Sequence, residues 1–198
     1  MSAPSRGRRE PAAVRRERAV ALAAQWVADG RRLDMQGLAD ELGVSRVTLF
    51  RHVGGREQLL CEALWRVTET TLGAAARRGQ ARRPPGGLHV VWVGEQVNAL
   101  VSGSTALRRL LDEEPALTIR VLTDPRGQVQ TGMVAFLAEL IRRDVAEHGY
   151  RPPASPGDLA YALVRLGESF LYADVLAART PDVATANRLQ RVLIGGLM

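Results

Sequence analysis

The chain has 198 residues, 46% of them apolar, which suits one large domain or two small ones and excludes a disordered chain. No apolar run approaches the roughly 18 residues of a membrane span, Met1–Arg9 lacks the apolar stretch of a signal peptide, and the single Cys61 excludes an internal disulfide and suits a reducing cytoplasm. Net charge is +6, and the surplus sits at one end: residues 1–56 hold 11 Arg against 6 acids, residues 57–198 hold 16 against 15. A local basic excess is the footprint of a nucleic-acid module, and equally of a solvated face.

Sustained apolar alternation is absent, so the chain reads as all-α. Residues 1–9 read as a disordered basic arm. A first helix spans about Pro11–Asp29, with Ala19, Leu22, Ala23 and Trp26 on its apolar face. Asp34 caps a second helix carrying Met35, Leu38, Ala39 and Leu42, and Gly43 stops it. Ser45 caps a short third helix to about His52. Gly54-Gly55 breaks it, and a long fourth helix runs from Arg56 to about Arg78. Gly79–Gly87, with two Pro and three Gly, reads as a loop. Helices follow at about Leu88–Val101, Thr105–Glu113, Ala116–Leu122 and Gln128–Glu147. Ser155-Pro156-Gly157-Asp158 opens a helix to about Ala178, and a last one spans Asp182–Leu197. The organisation is therefore an arm (1–9), a three-helix head (10–56) and a larger helical part (57–198).

Function concentrates in Leu38–Val53. Two short helices around a glycine turn form a helix-turn-helix. Ala39 is small where the third helix crosses, Gly43 permits the turn, Val44 plugs the gap, and Leu49 and Val53 anchor the third helix from below. Ser45 leaves that helix's N-terminus, with its partial positive charge, open to phosphates. Arg46, Val47, Thr48, Phe50, Arg51 and His52 are left to divide between solvent and DNA. Arg46 suits a guanine edge, and Thr48 a phosphate or a thymine methyl.

Leu38–Val53 followed by Gly-Gly-Arg-Glu-Gln-Leu-Leu resembles the DNA-binding domain of the TetR family of bacterial regulators, over about residues 12–65. The resemblance implies a homodimer, an operator in double-stranded DNA, and a small-molecule effector bound in a variable C-terminal domain that releases the DNA. Family positions that touch DNA fall on Gln36, Arg46, Val47, Thr48, Phe50, His52 and Arg56. Phe50 stands where Tyr is usual, so a hydroxyl contact is lost; Arg56 stands where Lys is usual and keeps the charge. Asp112–Thr123 also resembles the C-terminal domain of regulators of quorum-signal degradation, which respond to lactone-type signals.

The helix at 158–178 carries two apolar stripes, Leu159, Leu163, Leu166 and Phe170, and Ala160, Val164, Leu171 and Val175, so it is expected to be buried on two sides. With the stripe Val183, Ala186, Leu189, Val192 and Leu193 on the last helix, it predicts a four-helix interface between two copies. Trp92, Gln96, Arg120, Met133, Phe136, Glu168 and Tyr172 are the candidates for lining an effector cavity. Each also suits ordinary core or surface. Glu168, a carboxylate in an apolar helix, needs a partner: a ligand, Arg120 or Arg165.

No G-x-S-x-G, glycine-rich phosphate loop or H-E-x-x-H occurs, so an enzyme is not expected. Asp144 and His148, four apart, have metal-pair spacing but read as an exposed helix pair; no metal or cofactor is expected. A nucleoid-type DNA binder without a ligand is the alternative, needing only the basic first quarter. The Arg-rich arm lacks the apolar face of a membrane binder.

Overall fold

A computed structural model describes residues 11–195. The arm expected at 1–9 and the last two residues of the helix expected over Asp182–Leu197 lie outside the described residues. Among the described residues there are eleven helices and no strand: α1 (Ala12–Ala28), α2 (Met35–Glu41), α3 (Arg46–Val53), α4 (Arg56–Arg82), α5 (His89–Ser102), α6 (Thr105–Glu113), α7 (Pro115–Thr123), α8 (Gln128–His148), α9 (Pro156–Leu171), α10 (Ala173–Ala177) and α11 (Val183–Gly195). No helix among them is long and apolar enough to cross a membrane.

Local chemistry accounts for several boundaries. The Asp34 carboxylate accepts from the Gly37 amide at 2.7 Å and starts α2. The Ser45 hydroxyl accepts from the Thr48 amide at 3.1 Å and starts α3, and Ser155 does the same for α9 through the Asp158 amide. Gly43 stands at φ +68 with nothing near its missing Cβ, so it is there for the turn alone.

Two boundaries differ from the sequence reading. α4 runs on to Arg82 rather than ending near Arg78, so Gly79 is helical and not the start of a loop. A Cβ on Gly79 would lie 2.7 Å from Val93 Cα, so this glycine lets α4 and α5 touch backbone to backbone. The helix read as continuous over 158–178 breaks at Tyr172 (φ −111, ψ 25). There the Phe170 carbonyl turns to the Asp182 amide, and the chain folds back toward α11.

Two apolar cores result, and α4 belongs to both. Leu59, Leu60, Ala63 and Leu64 join α1–α3, α6 and α7 in the first. Leu72 and Ala75 join α5, α8, α9 and α11 in the second. Fully burying a leucine is worth about 1.5–3 kcal/mol, so head and body are fused through this helix rather than tethered. As expected, Leu49 and Val53 are buried beneath α3 and Ala39 is fully covered.

Candidate nucleic-acid interface and effector cavity

The head presents the N-terminus and outer face of α3. Val47 and Phe50 are 61% and 58% exposed, unusual for large apolar side chains. Arg46 and Arg51 are exposed beside them. Thr48 is half-buried, its hydroxyl 2.8 Å from Ser45 Oγ. Gln36, exposed on α2, donates to Asp40 Oδ1 at 2.8 Å. His52 turns inward and lines a crevice with Arg15 and Arg18 of α1. The amide of Gly37 chiefly, with Arg46 and Arg32 nearby, holds the Asp34 carboxyl below its usual range.

Arg56 is placed differently from the other six candidates. Its guanidinium forks onto Glu114, Nη1 to Oε2 at 2.7 Å and Nη2 to Oε1 at 2.5 Å, while Nε donates to the Leu33 carbonyl at 2.6 Å. Arg32 joins the same carboxylate at 3.0 Å. Glu114 sits at the break between α6 and α7, where the following Pro115 excludes helical geometry. Its carboxyl is held below the usual range, first by hydrogen bonding from Arg56. One acid of the body thus grips two cations of the head. From sequence, Glu114 stood out only within the Asp112–Thr123 resemblance, not as a partner of the head, and Arg32 did not stand out; the local signal was an acid immediately before a proline.

The body holds a partly open apolar cavity of about 110 Å³ between α4, α5, α8 and α9, lined also by Leu122 of α7 and Gln190 of α11. An apolar cavity of about 150 Å³ holds benzene, so a longer guest must displace side chains such as Met133. Of the seven sequence candidates, Met133, Glu168 and Tyr172 line it. The other four lie elsewhere. Trp92 lies under the Arg191 guanidinium, 5.5 Å from the ring centre. Arg120 is exposed and pairs with Glu57 at 2.8 Å. Phe136 packs against the second core, and Gln96 is half-buried outside the cavity.

Polar groups cluster at the α9 end. Glu168 Oε2 accepts from Arg165 at 2.8 Å, which answers which arginine partners it. Burial pushes its carboxyl up to about 7, partly offset by Arg165. Tyr172 is buried, and burial followed by the nearby Glu168 charge pushes its phenol up. Its hydroxyl has no hydrogen-bond partner among the described residues. Asn98 spends both amide protons, on Asn187 and Gln190 at 2.7 Å each, leaving Oδ1 without a donor there. Asn98 and Gln190 carry no sequence signal, since a polar residue on a helix does not reveal which way it faces.

Asp144 departs from its reading as half of an exposed pair. It is fully buried and accepts from the amides of His89 and Val90 and from His89 Nδ1, capping α5 from α8. The large apolar side chains left exposed include Tyr161, Leu176, Leu189 and Val192, on α9, α10 and α11.

Residues 85–195 match the family described as tetracyclin repressor-like, C-terminal domain. No curated protein matches the chain. Among solved structures, the chain is similar to the TetR-family transcriptional repressor QsdR from R. erythropolis, at 32% identity and TM-score 0.82 over 95% of this chain and 98% of that one. The TetR-family repressor AlkX from Dietzia sp. strain DQ12-45-1b, implicated in biodegradation of n-alkanes, shares the fold at 21% identity and TM-score 0.58 over 96% of each chain. A TetR-family regulator from Mesorhizobium loti MAFF303099 does so at 14% identity and TM-score 0.54, over 94% of this chain and 96% of that one. A helix-turn-helix head, an all-helical body matching the family's C-terminal domain and a full-length likeness to a repressor of the same family agree: the chain belongs to the TetR family of transcriptional regulators, DNA-binding proteins that are not enzymes.

Proposed function

We propose that the protein is a cytoplasmic homodimeric repressor that binds a pseudo-palindromic operator and is released by a small, mainly apolar molecule. The observation that carries the reading is the course of α4. It begins at Arg56 against the head, then lines the cavity with Leu64, Val67, Thr68, Thr71 and Leu72. A guest that displaces this face moves the helix on which the head is mounted. A second route runs through α7, which lines the cavity with Leu122 and begins beside Glu114. Coupling of about 1–3 kcal/mol between cavity and head suffices for regulation.

The DNA contacts assigned to this interface are Gln36, Arg46, Val47, Thr48, Phe50 and His52, with Arg56 available once it leaves Glu114. In a dimer the two α3 helices lie about 34 Å apart, one turn of DNA. The exposed Tyr161, Leu189 and Val192 on α9 and α11 support pairing through these helices.

The cavity's chemistry supports an effector with an apolar chain and one neutral polar head. The Tyr172 hydroxyl offers a donor, Asn98 Oδ1 an acceptor, and Glu168 either. Acylated lactones fit this description, and the resemblance of Asp112–Thr123 to regulators of quorum-signal degradation favours them. A nucleoid-type binder without a ligand has no use for unpartnered polar atoms inside an apolar cavity. The test is selection of bound sequences from random DNA, repeated with acyl lactones of graded chain length. A palindromic site released by a subset of chain lengths is expected. Uniform binding to all sequences, or a site that no apolar compound releases, overturns the reading.

A further inference from the structure

We propose that His89, Glu147 and His148 bind a divalent transition metal of the zinc class. The site lies at the far end of the body, where the end of α4, the start of α5 and the end of α8 meet. None of its residues lines the effector cavity, so it stands apart from the function proposed above.

The geometry begins with Asp144. This fully buried carboxylate accepts from His89 Nδ1 at 2.8 Å and from the backbone amides of His89 and Val90. With an acceptor-only partner, Nδ1 carries the ring proton, and Nε2 is the ring atom left to face a metal ion. Nε2 lies 3.6 Å from Glu147 Oε2. Two ligand atoms at this separation frame a gap that a small cation can fill. The His148 ring is stacked on that of His89, centres 5.5 Å apart at an interplanar angle of 23°, so the exposed His148 must turn to point a nitrogen at a shared ion. One ligand atom from each of the three residues falls within 4.8 Å of the other two.

Two imidazole nitrogens and a carboxylate oxygen favour zinc, cobalt or nickel over magnesium or calcium. Three such ligands with water in fourth place make a tetrahedral site. Bonds of about 2.0–2.1 Å require ligand atoms about 3.3 Å apart. His89 is fixed, so the closure falls to Glu147 and His148, both exposed. Asp144 is the outer carboxylate that metal-bound histidines use to set their tautomer and direction. Two cations border the site: Arg83 donates to His148 Nε2 at 2.8 Å, and Arg143 reaches Glu147 at 3.3 Å. Metal binding displaces Arg83 from the histidine nitrogen. The rival occupant of the gap between His89 and Glu147 is a proton on Nε2, which would leave a plain ion pair.

The test uses untagged full-length protein, stripped with a chelator and titrated with Co²⁺ and then with Zn²⁺. One Co²⁺ per chain, with the visible absorption of tetrahedral cobalt and its displacement by zinc, is expected. Zinc should also raise the melting temperature. His148→Ala and Glu147→Gln, both at exposed positions that leave the cores intact, should each weaken Co²⁺ by about tenfold or more, since even loss of an outer partner costs about 10–100-fold. Absence of cobalt absorption at millimolar metal leaves the proton as occupant and overturns the proposal. Undiminished binding in both variants overturns it too, because the metal then sits elsewhere.

Discussion

Glu114→Gln isolates the grip of body on head. The substitution keeps the shape and removes the charge that holds Arg56 and Arg32. Breaking a fully buried pair costs about 3–5 kcal/mol, while an exposed one is worth about 0–1 kcal/mol. Arg56 and Glu114 lie between these limits, with side chains 29% and 17% exposed, and the fork is bidentate. A loss of about 2 kcal/mol follows, or about 4–8 °C in melting temperature for a domain of this size. The pH dependence has a fixed sign. The Glu114 carboxyl is held below its ordinary 4.5 in the folded state, so its contribution is full above that value and fades as the pH falls through the lower folded value. The gap between parent and variant should therefore be widest near neutrality and close in acid. Thermal unfolding followed by circular dichroism at neutral and acid pH measures it, with Arg56→Met and the double variant completing a cycle. Equal melting temperatures for parent and Glu114→Gln at neutral pH, or strictly additive losses in the cycle, would refute the grip.

Other predictions concern the interior and the surfaces. Gly79→Ala should lower the melting temperature despite the usual helix gain of about 1 kcal/mol, because the new methyl meets the Val93 backbone and overpacking costs about 1–3 kcal/mol; an unchanged melt would mean that α4 and α5 part easily. Arg46→Ala should weaken operator binding by about 1–3 kcal/mol with little effect on random DNA, and equal loss on both in a gel-shift titration would make Arg46 a phosphate contact. Glu168, with its carboxyl raised to about 7, binds its proton more tightly folded than unfolded. The parent should therefore lose stability relative to Glu168→Gln as pH rises from about 5 to 8; parallel urea curves across that range would count against a buried acid. Val192→Glu should convert a dimer to monomer in sedimentation velocity, and an unaffected dimer would move the interface off α11.

What was legible in the sequence was local. Asp34, Ser45 and Ser155 cap helices through amides three residues away, and Gly43 turns through its own φ, so neighbouring letters carried the information. Glu168 was legible because a carboxylate within an apolar stripe announces a special environment. What escaped depended on partners distant in sequence. Gly79 looked like a breaker because its reason is Val93, on another helix. Arg56 looked like a free cation because Glu114 lies 58 positions on. Trp92 and Arg120 looked plausible for the cavity because a helical period fixes which residues share a face but not what that face meets. Asp144 resembled a surface acid until α5 was laid against it.

The sharing of α4 between two cores gives the molecule a mechanical ratio. At 1.5 Å per residue its 27 residues make a rod of about 40 Å. The two apolar cores hold it along its length, and at its first residue the Arg56–Glu114 contact adds an electrostatic, releasable hold. A tilt of about 5° about the far end carries the head through about 3.5 Å over that length. Two heads swinging in opposite senses would change their separation by about two base-pair steps. On the proposed reading, a side-chain displacement at the cavity would thus be geared up into a misfit on the operator.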